Sequence, residues 1–112
     1  VKSADIFDSP VQMVVASMSY EYRIRFSTPS NSDLDHAIRD LPFFGYYDEN
    51  HRTYNLWLRP MDKRLGMPDA HAILEEAGIY FCRNGGPEVD RIKESLLAIA
   101  KRHDPDTSIE EL

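Results

Sequence analysis

The sequence predicts an α+β domain in which a mostly antiparallel sheet carries two helices on one face. Three observations predict it. Strand-length runs alternate apolar and polar residues with period two. Two other segments place apolar residues at helical spacing behind acidic, breaker-flanked starts. Polar spacers of hairpin length separate neighbouring strand runs.

The first strand spans Tyr20 to Ser27, with Tyr20, Tyr22, Ile24 and Phe26 on one side and Glu21, Arg23, Arg25 and Ser27 on the other. Thr28-Pro29-Ser30-Asn31 breaks it. Ser32 is read as the cap of a first helix that holds Asp33 and Asp35 at the positive end of its dipole. Leu34, Ala37, Ile38 and Leu41 form the buried stripe, and Pro42 ends the run.

Phe43 to Asp48 and Thr53 to Arg59 form a hairpin around Glu49-Asn50-His51-Arg52. In its second arm Tyr54, Leu56 and Leu58 share one face, and Asn55, Trp57 and Arg59 the other. The segment from Pro60 to Pro68 reads as a loop. Asp69 to Gly78 admits two readings: a helix favoured by its Ala, Leu and Glu content, or a strand returning through Glu76-Ala77-Gly78 into Ile79 to Arg83. The hairpin is the reading adopted.

The second helix starts at Pro87, with Glu88 and Asp90 at its positive end and Lys101, Arg102 and His103 at the other. Val89, Ile92, Leu96, Ile99 and Ala100 form its stripe. Burying its four large side chains contributes on the order of 6 to 12 kcal/mol before entropy. Beyond Asp104-Pro105-Asp106, Ile109 can place the tail on a sheet edge. This order of elements resembles a variation on the ferredoxin-like plait, a likeness of topology that implies no activity.

The 112 residues suffice for a single domain, placed at 20–112. Residues 1–19 read as a flexible or adventitious leader, with Met13 and Met18 as natural starts ahead of the first strand. A net charge of -6 disfavours a nucleic-acid partner, since attraction to phosphate needs clustered Lys and Arg. The single cysteine, Cys82, excludes an intrachain disulfide and points to a reducing, cytoplasmic setting. No apolar run approaches the ~20 residues of a membrane span.

No phosphate loop, dinucleotide fingerprint, nucleophile elbow or zinc-protease helix is present, so no catalytic residue, cofactor or metal is assigned. His36, His51, His71 and His103 fall in separate elements without short ligand spacing. Cys82 reads as a small buried or half-buried thiol in mid-strand, just after Tyr80 and Phe81. Asn84-Gly85-Gly86 before a helix has the look of an anion cradle, but Glu88 and Asp90 would repel a phosphate there.

One constellation remains. If the apolar faces lie beneath the helices, the opposite face gathers Glu21, Arg23, Arg25, Asn55, Trp57, Arg59, Tyr80 and Cys82. Arg23, Arg25, Asn55, Trp57, Arg59 and Tyr80 are the candidate binding residues, because Trp, Tyr and Arg are enriched at interface hot spots. The competing reading is that stacking and ion pairing across strands merely stabilise an exposed sheet. The expected function is that of a small acidic, non-catalytic protein-binding module, an inhibitor or immunity-type neutraliser of a more basic partner. Self-association through the same face is a further possibility. The alternative is a small-molecule binder or small enzyme with a pocket between helix and sheet.

Overall fold

The computed structural model describes residues 20–62 and 66–112. The expectation of a leader over 1–19 lies outside the described residues. The alternating run after Tyr20 forms β1, Glu21–Arg25, and the next helical stripe forms α1, Ser32–Arg39. Asn31, not Ser32, caps α1: its side chain accepts from the backbone N–H groups of Asp33 and Leu34 at 3.0 and 3.2 Å. An amide oxygen one residue earlier reaches both donors, which leaves Ser32 inside the first turn.

β2, Phe44–Asp48, and β3, Thr53–Leu56, make the expected hairpin. β3 ends three residues before the predicted Arg59. A bulge between Phe44 and Tyr46 shifts the register and leaves Gly45 as the extra residue.

The ambiguous segment from Asp69 to Gly78 is strand and turn. β4, Ala70–Glu75, turns through Glu76 and Ala77 into β5, Gly78–Arg83. Helix propensity loses here because Ala72 and Phe81 face each other across a paired register that buries both. The turn's carbonyls are not left orphaned: Phe26 N–H donates to Ala77 O at 3.1 Å and Ser30 N–H to Glu76 O at 2.7 Å. A short turn at Pro87–Val89 leads into α2, Asp90–His103, and β6, Ser108–Glu111, closes the chain.

The sheet is antiparallel throughout, with six strands in the order β2-β3-β4-β5-β1-β6. The chain leaves β1 near one edge, crosses by α1 to β2 at the far edge, and walks back strand by strand. α2 then carries it over β1 to β6. Tyr22, Ile24, Tyr54, Leu56, Ala70, Ala72, Ile79 and Phe81 line one face and merge into a single core with Leu34 and Ile38 of α1 and Ile92, Leu96, Ile99 and Ala100 of α2. The period of two in the strands and of about 3.6 in the helices therefore meet on one layer.

Polar contacts set the ends of this layer. Arg39 of α1 lies 4.7 Å from the Tyr47 ring centroid and 5.9 Å from that of Tyr54, and its Nε donates to Asp35 at 3.0 Å. Tyr54 donates its hydroxyl to the same carboxylate at 2.5 Å, tying α1 to the β2–β3 hairpin. Burial alone would raise the Asp35 pKa, but the hydrogen bonds from Tyr54 and Arg39 and the guanidinium charge outweigh it and hold it low. Asp104, buried where α2 ends, accepts from Ser27 N–H at 2.7 Å, Thr28 N–H at 3.1 Å and Asp106 N–H at 2.9 Å. Those backbone donors, that of Asp106 foremost, hold its pKa below the usual carboxylate value. Among the described residues, no helix is long and apolar enough to cross a membrane.

Two outcomes follow from these contacts. At position 78 a Cβ would fall well inside contact distance of the Ile24 carbonyl oxygen, a backbone atom that cannot yield without separating β5 from β1. Gly78→Ala is expected to lose about 1–3 kcal/mol in urea unfolding; an unchanged midpoint would show that the two strands are not packed this closely. Because the folded pKa of Asp104 is depressed, its contribution is present above the ordinary carboxylate pKa of ~3.9 and is lost as pH falls through the folded value. Urea midpoints measured from ~pH 6 down to ~pH 2 should decline less steeply for Asp104→Asn than for the parent.

Candidate functional site

The face of the sheet opposite the helices is organised by strand register into two parallel rows. Tyr46, Asn55, His71, Cys82 and Glu21 stand opposite one another in one row. In the next, Ile73, Tyr80, Arg23 and Glu110 do the same. Register dictates the membership, and the two rows share a face because His71 and Ile73, Tyr80 and Cys82, and Glu21 and Arg23 are each two positions apart along their strands.

Arg23 is the centre of the second row. Its Nε donates to Glu75 Oε1 at 3.0 Å, a terminal nitrogen donates to Oε2 at 3.4 Å, and its guanidinium carbon lies 5.8 Å from the Tyr80 ring centroid. Gly78 sits opposite Glu75 and has no side chain, so Arg23 and Glu75 meet diagonally across the gap. The Tyr80 hydroxyl donates to Glu21 Oε1 at 2.9 Å; burial and that carboxylate raise its pKa strongly. Arg25 is exposed and pairs with Glu110 of β6.

Three of the expected site residues, Arg23, Arg25 and Tyr80, are thus brought together on β1 and β5. The other three are not part of that cluster. Asn55 is only 8% exposed and its side-chain nitrogen turns to Thr53 O at 3.4 Å. Trp57, expected as an open anchor, is 2% exposed: the bulge at Gly45 makes a slot in which the indole lies, 5.9 Å from the Tyr46 ring centroid. A Cβ at residue 45 would collide with the indole, so the glycine and the tryptophan belong to one packing unit. Arg59 is exposed but lies beyond the end of β3, next to the turn at Pro60–Asp62.

Glu75 and Glu110 are site members that sequence reasoning missed. The register of the β4–β5 hairpin holds the signal for Glu75, because pairing Ala72 with Phe81 sets Glu75 opposite Gly78. Nothing local announces Glu110, whose place depends on β6 docking beside β1.

His71 and Cys82 are directly opposite across β4 and β5. The pairing of a thiol with an imidazole invites a nucleophile reading, and the hydrogen bonds oppose it. Asn84 gives its side-chain nitrogen to Pro68 O at 3.0 Å and to His71 Nδ1 at 3.1 Å. A carbonyl partner fixes that nitrogen as donor, so His71 Nδ1 is an acceptor already in use and Nε2 carries the proton. Burial lowers the His71 pKa and keeps the ring neutral. Cys82 is shifted the other way: burial raises its pKa, the Tyr80 hydroxyl opposes this, and Glu21 adds to the rise. The thiol stays protonated at neutral pH and acts as a small polar filler beneath Tyr80. Among the described residues, no cluster of His, Cys, Asp and Glu has the arrangement of a metal site.

Cys82 should accordingly react more slowly with iodoacetamide at neutral pH in the folded protein than in urea-unfolded chains. Tyr80→Phe should slow it further by removing the hydrogen bond that favours the thiolate. Equal rates in both states would show an ordinary, unperturbed thiol.

Neither a family model, a curated protein nor a solved structure matches this chain, and what the face can do is read from its geometry.

Proposed function

We propose that this chain is a protein-binding module that acts by contact rather than catalysis, through the sheet face carrying Arg23, Arg25 and Tyr80. One observation carries the reading: among the described residues both α-helices pack on the other side of the sheet, and this side holds an arginine and tyrosine cluster joined by partly exposed ion pairs. Such pairs are worth about 0–1 kcal/mol each. Their groups can therefore turn to a partner's at little cost, and Tyr and Arg are the side chains that anchor such contacts.

The net charge of -6 favours a more basic protein as that partner, with long-range attraction speeding encounter. In this reading the module is an inhibitor or neutraliser that occupies a basic surface, in the manner of an immunity protein, and works in the cytoplasm without nucleic acid or membrane. The strand order supports reading the fold as a ferredoxin-like plait enlarged by the β2–β3 hairpin: removing that hairpin leaves β4-β5-β1-β6 with its two crossing helices.

The test is affinity capture from the native source, followed by quantitative binding. A partner that binds through this face should be lost with Tyr80→Ala and Arg23→Ala, weaken as salt rises, and be retained by Arg91→Ala on exposed α2. Retention by the first two variants sinks the proposal, and concentration-dependent dimerisation of the purified chain that those variants abolish would replace the foreign partner with a second copy.

A further inference from the structure

The start of α1 and the end of α2 lie side by side, and between them the surface opens into a cavity of about 350 Å³. Leu34, Ala37 and Ile99 form its apolar floor, and Asn31, Asp33, Arg102 and His103 its polar rim. Its volume falls at the small end of the range that ligand pockets occupy. It lies on the helical layer, remote from the sheet face described above.

The rim is where the chemistry is unspent. Asn31 is committed to capping α1, with its oxygen on two backbone N–H groups. His103 is committed too: its Nε2 lies 3.1 Å from both Thr28 O and Pro29 O, and carbonyls only accept, so that nitrogen carries the proton. The imidazole is a fixed wall. Asp33 and Arg102 are different. Neither side chain has a hydrogen bond or ion pair with the described residues, and they do not pair with each other although both border the same opening. Other arginines behave otherwise: Arg23, Arg25 and Arg83 of the sheet and Arg39 of α1 each reach a carboxylate.

The dipoles of the two helices account for an acid at the start of α1 and a base at the end of α2. They do not account for an apolar floor left open between the two charges. We infer that this cavity binds a small zwitterion with an apolar body, an amino acid of the leucine type. Its carboxylate meets the Arg102 guanidinium, its ammonium meets the Asp33 carboxylate, and its side chain covers Leu34, Ala37 and Ile99. An apolar anion would leave Asp33 facing a like charge, and an apolar amine would do the same to Arg102. A ligand bearing both signs is attracted by both sides of the rim.

The experiment is a titration of the whole chain followed by backbone amide NMR shifts, with three probes of one carbon skeleton: leucine, isocaproate, which lacks the ammonium, and isoamylamine, which lacks the carboxylate. Leucine should give saturable shifts at Leu34, Ala37 and Ile99 and bind at least several-fold more tightly than either analogue. Asp33→Asn should bring leucine down to the affinity of isocaproate without weakening isocaproate, and Arg102→Gln should do the same relative to isoamylamine. Both substitutions are at exposed positions and leave the core untouched. Ala37→Trp, which fills the opening, should abolish binding while the amide spectrum remains that of a folded chain. The proposal is overturned if no probe gives saturable shifts up to its solubility limit, if leucine binds no better than its analogues, or if both charge variants bind all three probes as the parent does. None of these results bears on the sheet face, so this site and the protein-binding reading stand or fall separately.

Discussion

The organising constraint in this structure is that the sheet can bury only one of its faces. The described residues form two α-helices, and the chain routes both over the same side, α1 on its way from β1 to the far edge and α2 on its way over β1 to β6. Ile24, Leu56, Ile79 and Phe81 reach zero exposure because Ile38, Ile92 and Leu96 descend on them from above. At roughly 1.5–3 kcal/mol for each large apolar side chain removed from water, that layer supplies the main favourable term. Polar anchors then set where the layer stops: Asp104 at one end, the Arg39, Asp35 and Tyr54 group at the other.

The opposite face carries no helix among the described residues, and its chemistry follows from that. Its residues must be compatible with water, yet neighbouring strands lie close enough that side chains in adjacent positions interact. The result is a layer of ion pairs and hydrogen bonds, Arg23 with Glu75, Arg25 with Glu110, Tyr80 with Glu21. These hold the face in a defined arrangement without committing much free energy to it. The same half-burial explains why His71 stays neutral and Cys82 protonated, two groups that in a wetter or more charged setting could exchange a proton.

The alternation in β1 and the stripe of α2 were readable because each is a local pattern whose period matches the surface it must bury. The hairpin over Ala70 to Arg83 was harder. Its first arm has a helix-favouring composition, and only cross-strand burial of Ala72 against Phe81 tips it to strand. Trp57 shows the limit on the side of the site. Alternation correctly put it out of phase with Leu56, but whether a side chain in that phase is exposed depends on what lies beside it. Here a bulge in the neighbouring strand β2, at Gly45, creates room for the indole.

The linear sequence by itself determined the class of architecture, the two helices, the strands β1, β2, β3 and β5 and the sorting of their residues into two faces, because these depend on spacing along the chain. Tertiary structure alone decided which strands are neighbours, and with that which charges meet: Arg23 with Glu75 fifty-two positions away, Arg25 with Glu110 eighty-five positions away. It also decided that the helix ends frame a cavity whose two charges have no partner among the described residues. Pairing across such separations is fixed by global packing, and no local period of two or 3.6 residues encodes it.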